Sequence, residues 1–355
     1  MNKIIFAFAG DLASVVSLHW IESSHAGKVI AVTANLGQPG FLEMLGDIAM
    51  NLGASDNLVI DLRKKLISNF AFRLLKARAS YLPGYYMSDI ISKFLLATEL
   101  VNAAREEGAQ TIAIAANEES ESFVRLTRTI HSIAPEMKII APLKDLGLNT
   151  TQALLEYAQT HQILIENIYQ RRLNTDINLW GASVQVDNNP WNSIPDSSYV
   201  LTSPAAQIPD KPAEIELEFK SGLPVKLDNS VTDQVSIVST LNGLAGKYSV
   251  GRAEIFRRKF TGQISRFLCE APAATVLYKA HEALEEVTMD PFTMSLSRDF
   301  SCRYAEMIFH GNWFSPAQKS LDSFFAASQI PVTGKVRVKF ESGSFFVTGR
   351  MPYVV

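Results

Sequence analysis

Chemistry-bearing side chains gather in two stretches of opposite charge. Asn117-Glu118-Glu119-Ser120-Glu121-Ser122 holds three carboxylates within four residues, and Arg257-Arg258-Lys259, with Arg266 nearby, gathers cations. Guanidinium forks suit carboxylate and phosphate, so Arg257, Arg125 and Arg266 are candidates to hold an anionic ligand. Two plainer readings stand beside that one: the basic segment pairs internally with the Glu118–Glu121 loop, or it is a solvated face. His19, His25, His131, His161, His281 and His310 show no metal-like spacing, so no metal site is expected. Cys269 follows the apolar pair Phe267-Leu268, which predicts a buried small residue rather than a nucleophile. Trp180, Trp191 and Trp313 are expected to pack, as large aromatics usually do.

Elements of two kinds must position these groups. From residue 3 to about 165, short apolar runs at 4–8, 29–33, 58–60, 111–115 and 138–140 read as buried strands. Helical patterns at 12–22, 41–52, 88–107, 121–132 and 150–160 alternate with them. The alternation predicts an α/β doubly wound, mostly parallel sheet, whose ligands sit outside the carboxyl ends of the strands. The turns after Phe8, Thr33 and Ala115 are therefore where chemistry is expected. A Pro, Asn, Ser and Asp-rich stretch from Asp187 to Pro212 then changes the texture of the chain. Beyond it, strands are expected at 214–219 and 225–227, a helix at 232–245 and a basic hairpin at 254–267. Helices follow at 273–287, 291–311 and 316–328, and two closing strands at 334–340 and 344–349. Segregation of this kind predicts an α+β second domain, with the division at 1–165 and 166–355.

Composition narrows the function classes. Among 355 residues, 33 Lys and Arg face 36 Asp and Glu for a net charge of −3, which carries no electrostatic footprint for nucleic acid or an anionic membrane. A hydrophobic fraction of 47% with 19% charged residues supports a full core. Two cysteines are too few for a disulfide framework, so a reducing cytoplasm is the expected compartment.

Several motifs in order and spacing resemble the argininosuccinate synthase family over nearly the whole chain. They are Ala31-Val32-Thr33-Ala34-Asn35-Leu36-Gly37-Gln38, Ser132-Ile133-Ala134-Pro135 with Ile140-Ala141-Pro142, and Asp176-Ile177-Asn178-Leu179-Trp180-Gly181. Gly246-Lys247-Tyr248-Ser249-Val250-Gly251-Arg252, Glu270-Ala271-Pro272-Ala273-Ala274-Thr275 and Asn312-Trp313-Phe314-Ser315-Pro316 continue the pattern. The resemblance implies an N-type ATP pyrophosphatase domain followed by a synthetase domain. It also implies activation of citrulline's ureido oxygen by ATP, attack of the aspartate amine, and loss of AMP.

The residues that would carry that reaction depart from the pattern. Where the family has Ser-Gly-Gly-Leu-Asp-Thr-Ser to surround phosphate, this chain has Ala9-Gly10-Asp11-Leu12-Ala13-Ser14-Val15. The family's Thr-Gly-Lys-Gly-Asn-Asp becomes Asn117 to Ser122, with the aspartate clamp's Thr, Asn and Asp at Asn117, Glu121 and Ser122. Phe8, Gly10, Asp11, Ser14, Ala34, Asn117, Glu118 and Glu121 thus line a nucleotide cleft by resemblance. A carboxylate and a phosphate charge 4 Å apart repel by about 4 kcal/mol at an effective dielectric near 20, against the roughly 8 kcal/mol of micromolar binding. Arg-Tyr-x-x-Gly-Thr-Ser-x-Ala-Arg-Pro, the citrulline clamp, becomes Gly84 through Phe94, which keeps Tyr85, replaces arginine by Lys93, and puts Ile90 on the serine. The hairpin glutamate is Arg257, the tyrosine before Glu-Ala-Pro is Cys269, and a serine falls on Asn174. Tyr85, Arg125 and Ser183 remain of the residues that contact amino-acid substrates in the family.

The expectation is a family member that has lost argininosuccinate synthesis and binds a small anionic metabolite or a protein partner. A ligase of altered specificity on an anionic substrate is the alternative, and an ordinary synthase the third reading. ATP and magnesium are expected only if ligase chemistry holds. The chain ends near Gly349-Arg350-Met351-Pro352, short of the family's C-terminal arm, so the family tetramer is not expected, while a homodimer stays open.

Overall fold

The structure, a computed structural model, describes residues 2–25, 27–40, 42–163, 175–258 and 262–353. The chain forms two compact units, residues 2–62 with 93–163 and residues 63–92 with 175–353. The expected division at 165/166 lies outside the described residues, and the structure amends it in one respect. Residues 63–92 leave the first unit and pack in the second.

The first unit runs β1 (Lys3–Ala7), α1 (Leu12–Ser24), β2 (Lys28–Asn35), α2 (Leu42–Asn51) and β3 (Asp56–Asp61). The excursion α3 (Arg63–Lys65), a π-helical turn Leu66–Ala71, and α4 (Phe72–Lys76) follows. The unit resumes with the C-terminal part of α5 (Ser88–Glu106), then β4 (Thr111–Ile114), α6 (Glu121–Ile133), β5 (Lys138–Ile140), α7 (Pro142–Asp145) and α8 (Thr151–Thr160). All five strands are parallel in the order β3-β2-β1-β4-β5, with Ile4 opposite Val29 on one side and Thr111 on the other.

Side-chain alternation along the strands makes this sheet doubly wound. Ile4 and Phe6 of β1 join Val15, Leu18 and Ile21 of α1 and Leu45 and Ala49 of α2 in one buried cluster. Ile5, Ile30, Val32, Ile112 and Ile114 point the other way, onto Ala97, Leu100 and Val101 of α5 and Leu126 and Ile130 of α6. The expectation that every strand is buried fails at the edges. β3 and β5 each have a partner on one side only, and their residues are half-buried or exposed.

The second unit is α+β, as expected. β6 (Thr175–Asn178) and β7 (Gly181–Gln185) form a hairpin, followed by β8 (Ala213–Lys220), β9 (Leu223–Leu227), β10 (Ser230–Val231) and α9 (Gln234–Lys247). Then come β11 (Arg252–Arg258), β12 (Ile264–Glu270), α10 (Pro272–Thr288), α11 (Pro291–Phe309), α12 (Pro316–Ser328), β13 (Gly334–Glu341) and β14 (Ser344–Pro352). Two sheets result, ordered β10-β9-β8-β13-β14 and β11-β12-β7-β6. The β6–β7 hairpin carries no strand signal that periodicity could find, since its turn residues Leu179 and Trp180 are buried.

The excursion belongs here because its apolar side chains find partners here. Phe70 stacks on Trp313 at 4.7 Å and Phe72 meets Trp180 edge-on at 6.2 Å. Tyr278 Oη donates to the Ala79 carbonyl at 2.8 Å. Trp180 and Trp313 are buried as expected, whereas Trp191 is 94% exposed, which overturns the packing expected for it.

Candidate functional site

At the first unit's switch point, where strand order reverses between β1 and β4, the turns after both strands open at the carboxyl end of the sheet. Phe8 is buried beneath them, donating its N–H to the Val32 carbonyl while its own carbonyl accepts from Thr33. Gly10 sits at φ +68°, and a Cβ there would lie 2.2 Å from Leu45 Cδ2, so the turn needs glycine. Asp11 then caps α1. Its carboxylate accepts the Ser14 N–H at 2.8 Å, and Ser14 Oγ accepts the Asp11 N–H at 3.0 Å, a reciprocal capping box. An N–H that could meet an anion at this helix start is therefore already held by the chain's own carboxylate.

The turn after β4 is likewise braced by its own side chains. Asn117 Oδ1 accepts the Glu119 N–H at 2.9 Å, its carbonyl accepts the Ser120 N–H, and Ser120 caps α6 through the Phe123 N–H at 3.2 Å. Glu118 pairs with Lys144 of α7 at 3.0 Å, Glu119 is exposed, and Glu121 lies in the first turn of α6, where its charge favours the helix dipole. After β2, Ala34 accepts from Gln38 Nε2 at 2.7 Å, which fixes that turn. Arg125 is buried on α6 and Lys93 is half-buried on α5.

The second unit holds a buried polar cluster. Arg257 Nη1 lies 2.9 Å from Asp89 Oδ2 and also donates to Tyr85 Oη, while Tyr85 in turn donates to Asp89 Oδ1 at 2.7 Å. The Arg257 and Asp89 side chains are each only 6% exposed. The guanidinium lies 3.9 Å from the Phe267 ring centroid, a cation–π contact. Ser183 and Cys269, opposite one another in the β7–β12 register, complete the surroundings with their heteroatoms 4.0 Å apart. Burial, and then the Asp89 charge, holds the Tyr85 phenol well above its usual range and pushes the Cys269 thiol up to about 12. Tyr85 is thus a neutral donor and Cys269 no nucleophile. Asp89, which anchors this cluster, was not among the residues singled out from sequence. The signal was there: Asp89 and Arg257 are opposite charges standing where the resembled pattern has threonine and glutamate.

Two sequence expectations are corrected here. Arg257 and Arg266 do not converge on one anion, because in the β11–β12 register they fall on opposite faces of the sheet. Arg266, 2% exposed, donates to Glu254 Oε1 at 2.8 Å and to the carbonyls of Asn189 and Asn192 at 2.7 and 2.9 Å. Nor is Arg257 a solvated cation: it is buried and pairs with the Asp89 carboxylate. Arg258 is exposed, and Lys259 and Asn174 lie outside the described residues. Among the described residues no cluster of His, Cys, Asp and Glu could hold a metal ion, and no helix is long and apolar enough to cross a membrane.

Comparison with known proteins joins the two units in one family. Residues 3–164 match the arginosuccinate synthase N-terminal HUP domain and residues 173–353 match the arginosuccinate synthase C-terminal domain. The argininosuccinate synthase of Chlorobium limicola is 35% identical over 351 residues, covering 98% of this chain and 88% of that one. That of Moorella thermoacetica is 33% identical, covering 100% and 88%, and that of Thermoanaerobacter pseudethanolicus is 33% identical, covering 99% and 87%. A full-length match through both domains, on a parallel sheet followed by an α+β unit, means that this chain belongs to the argininosuccinate synthase family.

Proposed function

We propose that the chain keeps the family scaffold, has lost argininosuccinate synthesis, and works as a non-catalytic binder of a small anionic metabolite or a protein partner. The observation that carries this reading is the buried Arg257–Asp89 pair at 2.9 Å. Both residues depart from the resembled citrulline clamp, and each neutralises the other. Of the clamp positions that remain, Tyr85 is engaged by the chain's own Arg257 and Asp89, so its hydroxyl both accepts and donates internally instead of facing a ureido head group.

The turn after β1 supports the same reading. A triphosphate there would have to displace the Asp11 carboxylate from the Ser14 N–H and then face its charge, a repulsion of about 4 kcal/mol per close charge pair. The residues present do not fit the nucleotide in the family's manner, and no step is derived through it.

A second reading, an ordinary synthase, is favoured by 33–35% identity to proteins of that name over nearly the whole chain. Calorimetry with Mg-ATP, followed by pyrophosphate exchange in the presence of citrulline, separates the two. The proposal expects neither heat nor exchange. Micromolar ATP binding with citrulline-dependent exchange would refute it and establish the synthase. Exchange that depends on another carboxylate would point instead to a ligase of altered specificity.

A further inference from the structure

We propose that a cavity of about 480 Å³ in the second unit, walled by Arg78, Tyr86, Tyr278, Lys279, Arg298 and Cys302, binds a small oxyanion carrying a flat aromatic body. Its size lies in the range of small-ligand pockets, about 300–1,000 Å³. The electrostatics favour an anion. Glu282 is committed to Arg78 at 3.0 Å and to Lys279 at 2.9 Å, and Glu285 pairs with the Arg78 Nε at 3.1 Å. Three cations therefore face two carboxylates, and Arg298 has no carboxylate partner among the described residues. Its guanidinium rests on Met294 Sδ at 3.5 Å, leaving its fork open to a carboxylate or phosphate.

Part of the lining is aromatic. The Tyr86 and Tyr278 rings, 4.4 Å apart at 56°, pack on one another and supply apolar surface for a flat body. Arg78 is held at φ +46°, a conformation that side chains other than glycine rarely adopt, and the two glutamates keep its head at the cavity. Tyr85 of the buried Arg257 cluster and Tyr86 of this cavity are adjacent in the chain, so an occupant would bear on the backbone that positions the cluster.

Cys302 is a built-in reporter. It is exposed on the cavity wall, whereas Cys269 is buried. The experiment measures alkylation of Cys302 by iodoacetamide in the intact protein, with phenyl phosphate or inorganic phosphate as probe and Cys302→Ser as the blank. At about ten times its Kd, phenyl phosphate should slow alkylation about tenfold. Inorganic phosphate should protect less, Arg298→Ala should abolish protection, and Arg298→Lys should keep part of it, with circular dichroism unchanged because Arg298 is exposed. No protection by millimolar phenyl phosphate, or equal protection in Arg298→Ala, would overturn the site. Equal protection by both probes would overturn the aromatic part of the ligand class.

Discussion

Neutralising Asp89 while Arg257 stays in place should take from a buried cation of the second unit the carboxylate it is paired with. Both side chains are 6% exposed and their charged atoms are 2.9 Å apart. Breaking a buried pair by removing one partner costs about 3–5 kcal/mol, a large part of the roughly 5–15 kcal/mol that holds a domain folded. Asp89→Asn is close to isosteric and keeps an acceptor for Tyr85, so its cost reports the lost charge. Arg257→Met should cost a similar amount and also forfeits the contact with the Phe267 ring. In that variant Asp89 keeps the Tyr85 hydroxyl but loses the guanidinium 2.9 Å away, so its carboxyl should take up a proton more readily than it does beside Arg257. The deficit at neutral pH should then shrink as pH falls. The double variant removes both charges together and should lose less than the two singles combined, with a coupling of at least about 2 kcal/mol. Urea unfolding followed by the fluorescence of the buried Trp180 and Trp313 measures all four proteins. Single variants losing less than about 1 kcal/mol, or losses additive within about 0.5 kcal/mol, would refute the claim that these residues form one electrostatic unit.

Other expectations follow from the same geometry. Asp11→Ala removes the α1 cap and should cost about 1 kcal/mol, whereas Asp11→Gly should cost only a few tenths, both read by denaturant midpoint. Trp191→Ala should leave stability within about 0.5 kcal/mol, and Trp180→Ala should cost about 3–5 kcal/mol, since one ring is 94% exposed and the other fully buried. His281 is buried beside Gln329 and Glu285. Burial holds its pKa below the usual value, with Arg78 and Lys76 acting the same way and Glu285 and Gln329 opposing. The unfolded chain binds the proton first as pH drops below about 6.5, so stability should fall with acidification there. His281→Gln should flatten that part of the melting-temperature profile. Thiol reagents should label Cys302 in the native protein and reach Cys269 only after unfolding.

Much of the fold was legible because its signals are local. Runs such as residues 4–8 and 29–33 are apolar enough to announce central strands, and helix starts at Asp11, Ser120 and Asp290 carry capping side chains. Illegible features were those set by distant neighbours. Residues 63–92 read as a continuation of the first domain until Phe70 and Phe72 meet Trp313 and Trp180. Trp191 read as a packing residue, yet Arg266 clamps the carbonyls on either side of it and leaves the ring in solvent.

The candidate site divides along the same line. Residue order alone placed Gly10, Asp11 and Asn117–Glu121 at strand ends, since a parallel sheet with alternating helices leaves few places for such turns. It also marked Tyr85, Ser183 and Arg257 by their resemblance to a substrate clamp. Tertiary structure alone decided the fate of the charges: Arg257 is spent on Asp89, 168 residues away in the chain, while Arg266, nine positions on, turns to the other face of the sheet. A charge's worth depends on distance to its partner and on the water removed from both, and neither quantity is set by neighbours in sequence.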